Sequence, residues 1–96
     1  WARVQKAAKK DELALVVDFW GRWCGPCKMM GPELSKAADV LAGKARLVKL
    51  NTEDEPKAGQ VYGIRGIPTM IRFDGGKEKK RQSGAMRAGE IVGWVG

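Results

Sequence analysis

Apolar positions fall along the chain in blocks of differing period, and each change of period marks an element. Trp1, Val4, Ala7 and Ala8 recur at helical spacing and predict a short amphipathic helix over residues 1 to 10, which Asp11-Glu12 ends. Leu13-Ala14-Leu15-Val16-Val17-Asp18-Phe19 is almost continuously apolar, the pattern of a strand covered on both faces. From Pro26 to Ala42 the period becomes helical. Cys27, Met30, Leu34, Ala38 and Leu41 share one stripe, Lys28, Glu33, Lys36 and Asp39 lie largely off it, and Gly43 stops the helix. Pro32 lacks an N–H and presses on the preceding turn, so a kink is expected there. Residues 45 to 50 form a second strand, and strand, helix, strand in so short a span is the parallel, right-handed crossover unit.

The second half alternates faster. Glu53 to Val61 reads as a short helix closed by Gly63, followed by a turn over Ile64 to Pro68 and a strand over residues 69 to 73. Asp74-Gly75-Gly76 is a hairpin signal, so Lys77 to Ser83 returns antiparallel. That strand is polar throughout and is expected at a sheet edge. Gly84 ends it, and a last helix runs from Arg87 to Val95 with Ile91, Val92, Trp94 and Val95 apolar.

Length confines the reading to one domain over residues 1–96, and 44% hydrophobic with 30% charged residues excludes disorder. No apolar run approaches membrane-spanning length and no leader pattern opens the chain, so no membrane contact and a cytoplasmic setting are expected. Cysteines there are mostly reduced, so a pair is better explained by chemistry than by cross-linking. The formal charge of +7 raises the question of nucleic acid. Its densest cluster, Lys77, Lys79, Lys80 and Arg81, has no interleaved aromatic residue for base stacking, and lysines on an exposed edge strand discourage aggregation, so no nucleic-acid partner is expected.

The chemistry concentrates in Trp23-Cys24-Gly25-Pro26-Cys27, which holds both cysteines at a strand-to-helix junction. At a helix start, unpaired N–H groups and the positive end of the dipole favour a thiolate, which makes Cys24 the candidate nucleophile. Cys27, one turn on, lies on the same face and can close a disulfide with it. Zinc is the rival reading, but two thiolates and no histidine supply half a site unless two chains meet. A structural cross-link closing so short a loop stabilises little, and two ordinary buried cysteines remain compatible with the spacing. Asp18 is a carboxylate in an otherwise dry strand: either a solvated exit from it, or a desolvated group of raised pKa able to exchange a proton with a thiol. Lys49, near the end of the second strand, is its natural counter-charge. Met29-Met30 reads as core filling.

Val-Asp-Phe-Trp at 17 to 20, Trp-Cys-Gly-Pro-Cys-Lys at 23 to 28, Lys-Leu-Asn at 49 to 51, Tyr-Gly-Ile-Arg-Gly-Ile-Pro-Thr at 62 to 69 and Gly84-Ala85 together resemble the thioredoxin family along essentially the whole chain. The resemblance implies an α/β thioredoxin fold, a three-layer α/β/α arrangement with a central mixed sheet. It implies a protein dithiol-disulfide oxidoreductase in which Cys24 attacks a substrate disulfide, Cys27 resolves the mixed disulfide, and Asp18 with Lys49 beside it takes the Cys27 proton. Pro68 would be cis, setting the backbone of Ile67 against Cys24, and Trp23, Gly25, Pro26, Ile67, Pro68 and Gly84 would form the substrate-contact surface. No bound cofactor or metal is implied. Electrons would come from NADPH through a thioredoxin reductase, and the partners would be disulfide-containing proteins.

Three departures from the family pattern stand out. The family's first strand is not visible, so the strand at 45 to 50 is expected to be an open edge, and the chain a monomer or an edge-strand-mediated dimer. Arg22 places a positive charge two residues from Cys24. Ser83 replaces the apolar residue that often precedes the glycine. A disulfide oxidase or isomerase of the same fold usually has another central dipeptide, and a binding module without efficient turnover is the alternative from a different class.

Overall fold

β1, Ala14–Trp20, is the centre about which the other elements pack. The computed structural model describes residues 13–96; the helix expected over 1 to 10 lies outside the described residues. β2 (Ala45–Asn51) runs parallel to β1, β3 (Thr69–Asp74) antiparallel to it on the other side, and β4 (Lys77–Ser83) antiparallel to β3, in the order β2-β1-β3-β4. β1 is buried on both faces, as its continuous apolar run requires. Among the described residues, β2 and β4 are the edges of this mixed sheet.

Alternation along β1 sorts the core into two layers. Val16 and Met70 face Met30, Leu34 and Ala37 of α1 (Gly25–Val40), with Ile91 and Val95 of α3 (Ala88–Val95) closing the same layer. Leu15, Val17, Phe19, Ile71 and Phe73 face the opposite way, toward Ala58 of α2 (Pro56–Val61) and Tyr62. Tyr62 packs edge-on against Phe73 at 5.1 Å between centroids and tilted against Phe19 at 6.2 Å. Full burial of each phenylalanine contributes about 2 kcal/mol or more. Helices thus cover both faces of the sheet, giving the three layers implied by the resemblance.

Several boundaries differ from expectation for local reasons. α1 continues through Pro32 and closes with the Leu41 N–H on the Ala37 carbonyl at 2.9 Å; Gly43 follows with φ +86°. Its buried stripe takes Ala37 and only half-buries Ala38, and of the methionine pair Met30 is buried whereas Met29 is 76% exposed, so core filling holds for Met30 alone. α2 begins at Pro56, three residues later than expected. Glu53 instead donates its N–H to Asn51 Oδ1 at 2.8 Å, and Pro56 starts the helix because a proline loses nothing at N1.

The hairpin turns through Gly75 and Gly76, at φ +61° and +85°, a conformation that side chains with a Cβ rarely adopt. β4 is exposed along most of its length, with Lys79 paired to Asp74 and Arg81 to Glu78. Lys80 is the exception in its basic cluster. With Arg72, its register partner on β3, it reaches the face covered by α3; Lys80 donates to the Trp94 carbonyl and Arg72 to that of Val95. Two cations therefore complete the carbonyl end of α3, where the helix dipole favours positive charge.

Candidate active site

The junction between β1 and α1 folds as a tight turn because Gly21 can approach its neighbours closely. A Cβ there would lie 2.8 Å from Ile67 Cδ1 and 3.3 Å from Glu53 Oε1. The Gly21 carbonyl accepts the Cys24 N–H at 3.2 Å, which leaves Trp23 83% exposed at the tip. Cys24 then caps α1. Its backbone is extended, its carbonyl accepts the Lys28 N–H at 3.2 Å, and its Sγ accepts the Cys27 N–H at 3.2 Å.

Cys24 and Cys27 are joined as a disulfide, with Cα atoms 5.2 Å apart. The two sulfurs are not equivalent. Cys24 is a partly exposed residue beside the protruding Trp23, whereas Cys27 is 1% exposed on the sheet side of the helix. The Cys27 N–H is aimed at Cys24 Sγ at the start of a 16-residue helix, a donor and a dipole of the kind that stabilise negative charge.

A second loop meets the first. The Ile67–Pro68 peptide is cis, and the Ile67 carbonyl oxygen stands 3.7 Å from Cys24 Sγ, a contact without a hydrogen bond while that sulfur is in a disulfide. The Pro68 carbonyl accepts the Gly84 N–H at 2.9 Å, so Gly84, at φ +99°, lies beside this loop. Thr69 Oγ1 bonds the Gly66 carbonyl and lies 3.1 Å from Ser83 Oγ; Ser83 thus braces the base of the loop from β4. Gly25, Pro26 and Ile67 are exposed and Pro68 is buried. Trp23 and Ile67 are among the large apolar residues that solvent reaches.

Asp18 is fully buried, and among the described residues neither of its carboxyl oxygens has a hydrogen-bond partner. Its face of the sheet is that of Val16 and Met70, the face α1 covers, so it lies in the layer into which Cys27 turns. Desolvation pushes its pKa up to about 6 against the opposing pull of the Lys49 ammonium. Lys49 is its register partner across the parallel β1/β2 pair, and its Nζ stands 5.1 Å from the centroid of the Trp20 ring. Of the two sequence readings of Asp18, the solvated strand exit is therefore excluded. Among the described residues no group of three or more His, Cys, Asp or Glu side chains is placed to hold a metal ion.

Other residues of the site leave no local signal in the sequence. Glu53 Oε1 accepts the Arg22 N–H at 3.1 Å, and the Arg22 guanidinium is 4.0 Å from Asp54, so part of its charge is offset by the β2–α2 loop rather than directed at Cys24 alone. Lys28 Nζ lies 6.0 Å from the centroid of the Trp23 ring. Glu33 of α1 accepts the Ala88 N–H at 3.2 Å, and this bond, then Lys36, holds its carboxyl below the usual range. Most of these pairings join residues distant in sequence, and no spacing rule reports them.

Comparisons with known proteins agree with this geometry. The thioredoxin family model matches residues 2–96. A thioredoxin of Rickettsia conorii is 35% identical over 91 residues, covering 95% of this chain and 87% of the relative. Those of Chlorobaculum thiosulfatiphilum and Synechocystis sp. are 48% and 44% identical over 76 residues, each covering 79% of this chain and 70% and 71% of the relative. With a disulfide-forming Cys-Gly-Pro-Cys at a helix start and matches of this extent, the chain belongs to the thioredoxin family, the thiol-disulfide oxidoreductases that act on protein disulfides.

Proposed function

We propose that the chain works as a protein-disulfide reductase with Cys24 as nucleophile and Cys27 as resolving thiol. The supporting observation is the asymmetry of the pair: Cys24 is reachable and capped by the Cys27 N–H, and Cys27 is buried. In the first step the Cys24 thiolate attacks one sulfur of a substrate disulfide, forming a mixed disulfide and releasing the other substrate sulfur as a thiolate. Cys27 then attacks Cys24 Sγ, its proton passing to the Asp18 carboxylate. The second substrate sulfur leaves, and the Cys24–Cys27 disulfide holds the oxidation removed from the substrate. Lys49 stabilises the ionised Asp18 that accepts this proton.

Trp23, Gly25, Pro26, Ile67 and Gly84 form the surface against which the substrate rests, its extended backbone pairing with Ile67 in a β-like way. Pro68, expected on that surface, is buried and acts from beneath it through its cis bond to Ile67. Such main-chain recognition suits disulfide-containing proteins of unrelated sequence. The working cycle closes when NADPH, through a thioredoxin reductase, reduces Cys24–Cys27 again, which fits a reducing compartment such as the cytoplasm. The protein acts as a monomer or as a dimer formed through the β2 edge.

Redox equilibration with glutathione or a reference dithiol tests the direction of this chemistry. The expected reduction potential is about −270 mV, general to thioredoxins, whereas a value near −180 or −120 mV, roughly those of isomerase and oxidase relatives, would overturn the reductase reading.

A further inference from the structure

We propose that Gly31 is a positioning residue of this site: by carrying no side chain it leaves the space in which the Lys49 ammonium rests against α1, and through that ammonium it sets the positive charge that Asp18 feels. Lys49 pairs with Asp18 in the β1/β2 register and reaches over the Trp20 ring, its Nζ 5.1 Å from the centroid. On its other side is α1. A Cβ at Gly31 would stand 3.1 Å from Nζ, closer than ordinary van der Waals contact, and among the described residues, apart from its chain neighbours and its own helix backbone, Lys49 Nζ is the one atom such a Cβ would meet within 4 Å. Indole and bare helix backbone therefore bound the ammonium from two sides.

Backbone conformation gives no other reason for a glycine here. Its φ lies outside the left-handed region, and a buried glycine within a helix costs about 1 kcal/mol relative to alanine. Neighbouring positions on the same helix face, Met30 and Leu34, fill their space with side chains. What the missing Cβ gives is room for Nζ. Around Asp18 the other described elements offer no competing charge: Met70 pairs with it from β3, α1 presents Cys27 and Met30, and Lys49 from β2 is the charge that acts on it.

An added methyl at Gly31 moves the flexible end of Lys49 rather than backbone. Asp18 is enclosed by core on the inner side, and Lys49 is exposed on the outer side, so the ammonium moves outward. Its attraction for the carboxylate then weakens.

This inference rests on Asp18 being the proton acceptor of the reductase reading, but its test reads Asp18 directly, whatever the turnover. The side-chain carboxyl of Asp18 is titrated by carbon NMR in the oxidised protein, in Gly31→Ala, in Lys49→Met and in the double variant. Gly31→Ala is expected to raise the Asp18 pKa by about 0.1 to 0.2, the effect of moving one charge by a few tenths of an ångström at an effective dielectric of about 20. Lys49→Met raises it further, and adding Gly31→Ala to Lys49→Met changes nothing more. Lys49→Arg, whose broader head does not fit the same space, raises it too without altering the helix. An Asp18 pKa that is unchanged or lower in Gly31→Ala, or a shift that persists in the Lys49→Met background, or Lys49→Arg titrating like the parent, overturns the proposal.

Discussion

Asp18→Asn stabilises the oxidised protein by about 3 kcal/mol at pH 8, and the gain falls to about 0.6 kcal/mol at pH 4. The folded carboxyl titrates near 6 and the unfolded one near 3.8, so between those values the folded state binds more protons than the unfolded. For an acid whose folded pKa is raised, stability is full below the unfolded value and is lost as pH rises through the folded one. Above that window the loss is the whole shift, at about 1.4 kcal/mol per unit. Asparagine keeps the shape and a neutral polar head, so it removes the cost of ionisation without opening a cavity. In a domain of this size the gain corresponds to roughly 10 to 20 °C of melting temperature. Urea and thermal melts of parent and variant at pH 8 and pH 4 check this; equal stability at pH 8 would mean that Asp18 is not desolvated as the fold requires.

Cys27→Ser removes multiple turnover while leaving the first attack intact. Cys24 keeps its exposure, its place at the start of α1 and the N–H aimed at its sulfur, all of which come from backbone. Without the buried second thiol, a mixed disulfide with the substrate persists at one substrate per chain until an external thiol releases it. Cys24→Ser forms none, because the remaining thiol is enclosed between helix and sheet. Non-reducing mass spectrometry after incubation with a disulfide-containing protein distinguishes the two variants. Persistent adducts on Cys27 in the Cys24→Ser protein would reverse the assignment.

The elements that sequence makes legible are those with strong local periodicity. β1 is a continuous apolar run, α1 a stripe at helical spacing, and the β3–β4 turn an Asp-Gly-Gly signal, and each stands within one or two residues of its expected place. The start of α2 is legible only from Pro56, which takes the first helical position, while the Glu53 N–H is drawn to Asn51 Oδ1 in the turn before it. Cys24 and Cys27 are legible as a pair, since spacing and a following helix suffice. Asp18 is legible only as an anomaly: a carboxylate in a dry strand announces itself, but its complete burial depends on how α1 covers the sheet.

Long-range relations have no such trace. That Lys80 turns under α3 while Lys77 and Lys79 stay in solvent depends on the register shift opposite Arg72 and Phe73 and on α3 covering that face. Gly31 beside Lys49 joins a helix position to the sheet edge, and nothing in the spacing of either reports the other. The Ile67 carbonyl beside Cys24 is expected from family resemblance, not from the physical chemistry of the sequence.

Catalytic reduction of the interchain disulfides of insulin, with a small dithiol as electron donor, tests the central claim most directly. Many insulin disulfides reduced per chain, well above the dithiol alone, and loss of that excess in Cys27→Ser are the predicted result. A chain that is folded by circular dichroism, has an intact Cys24–Cys27 pair and yet adds nothing to the rate of the dithiol would contradict it, and would leave a binding module in the frame of a reductase.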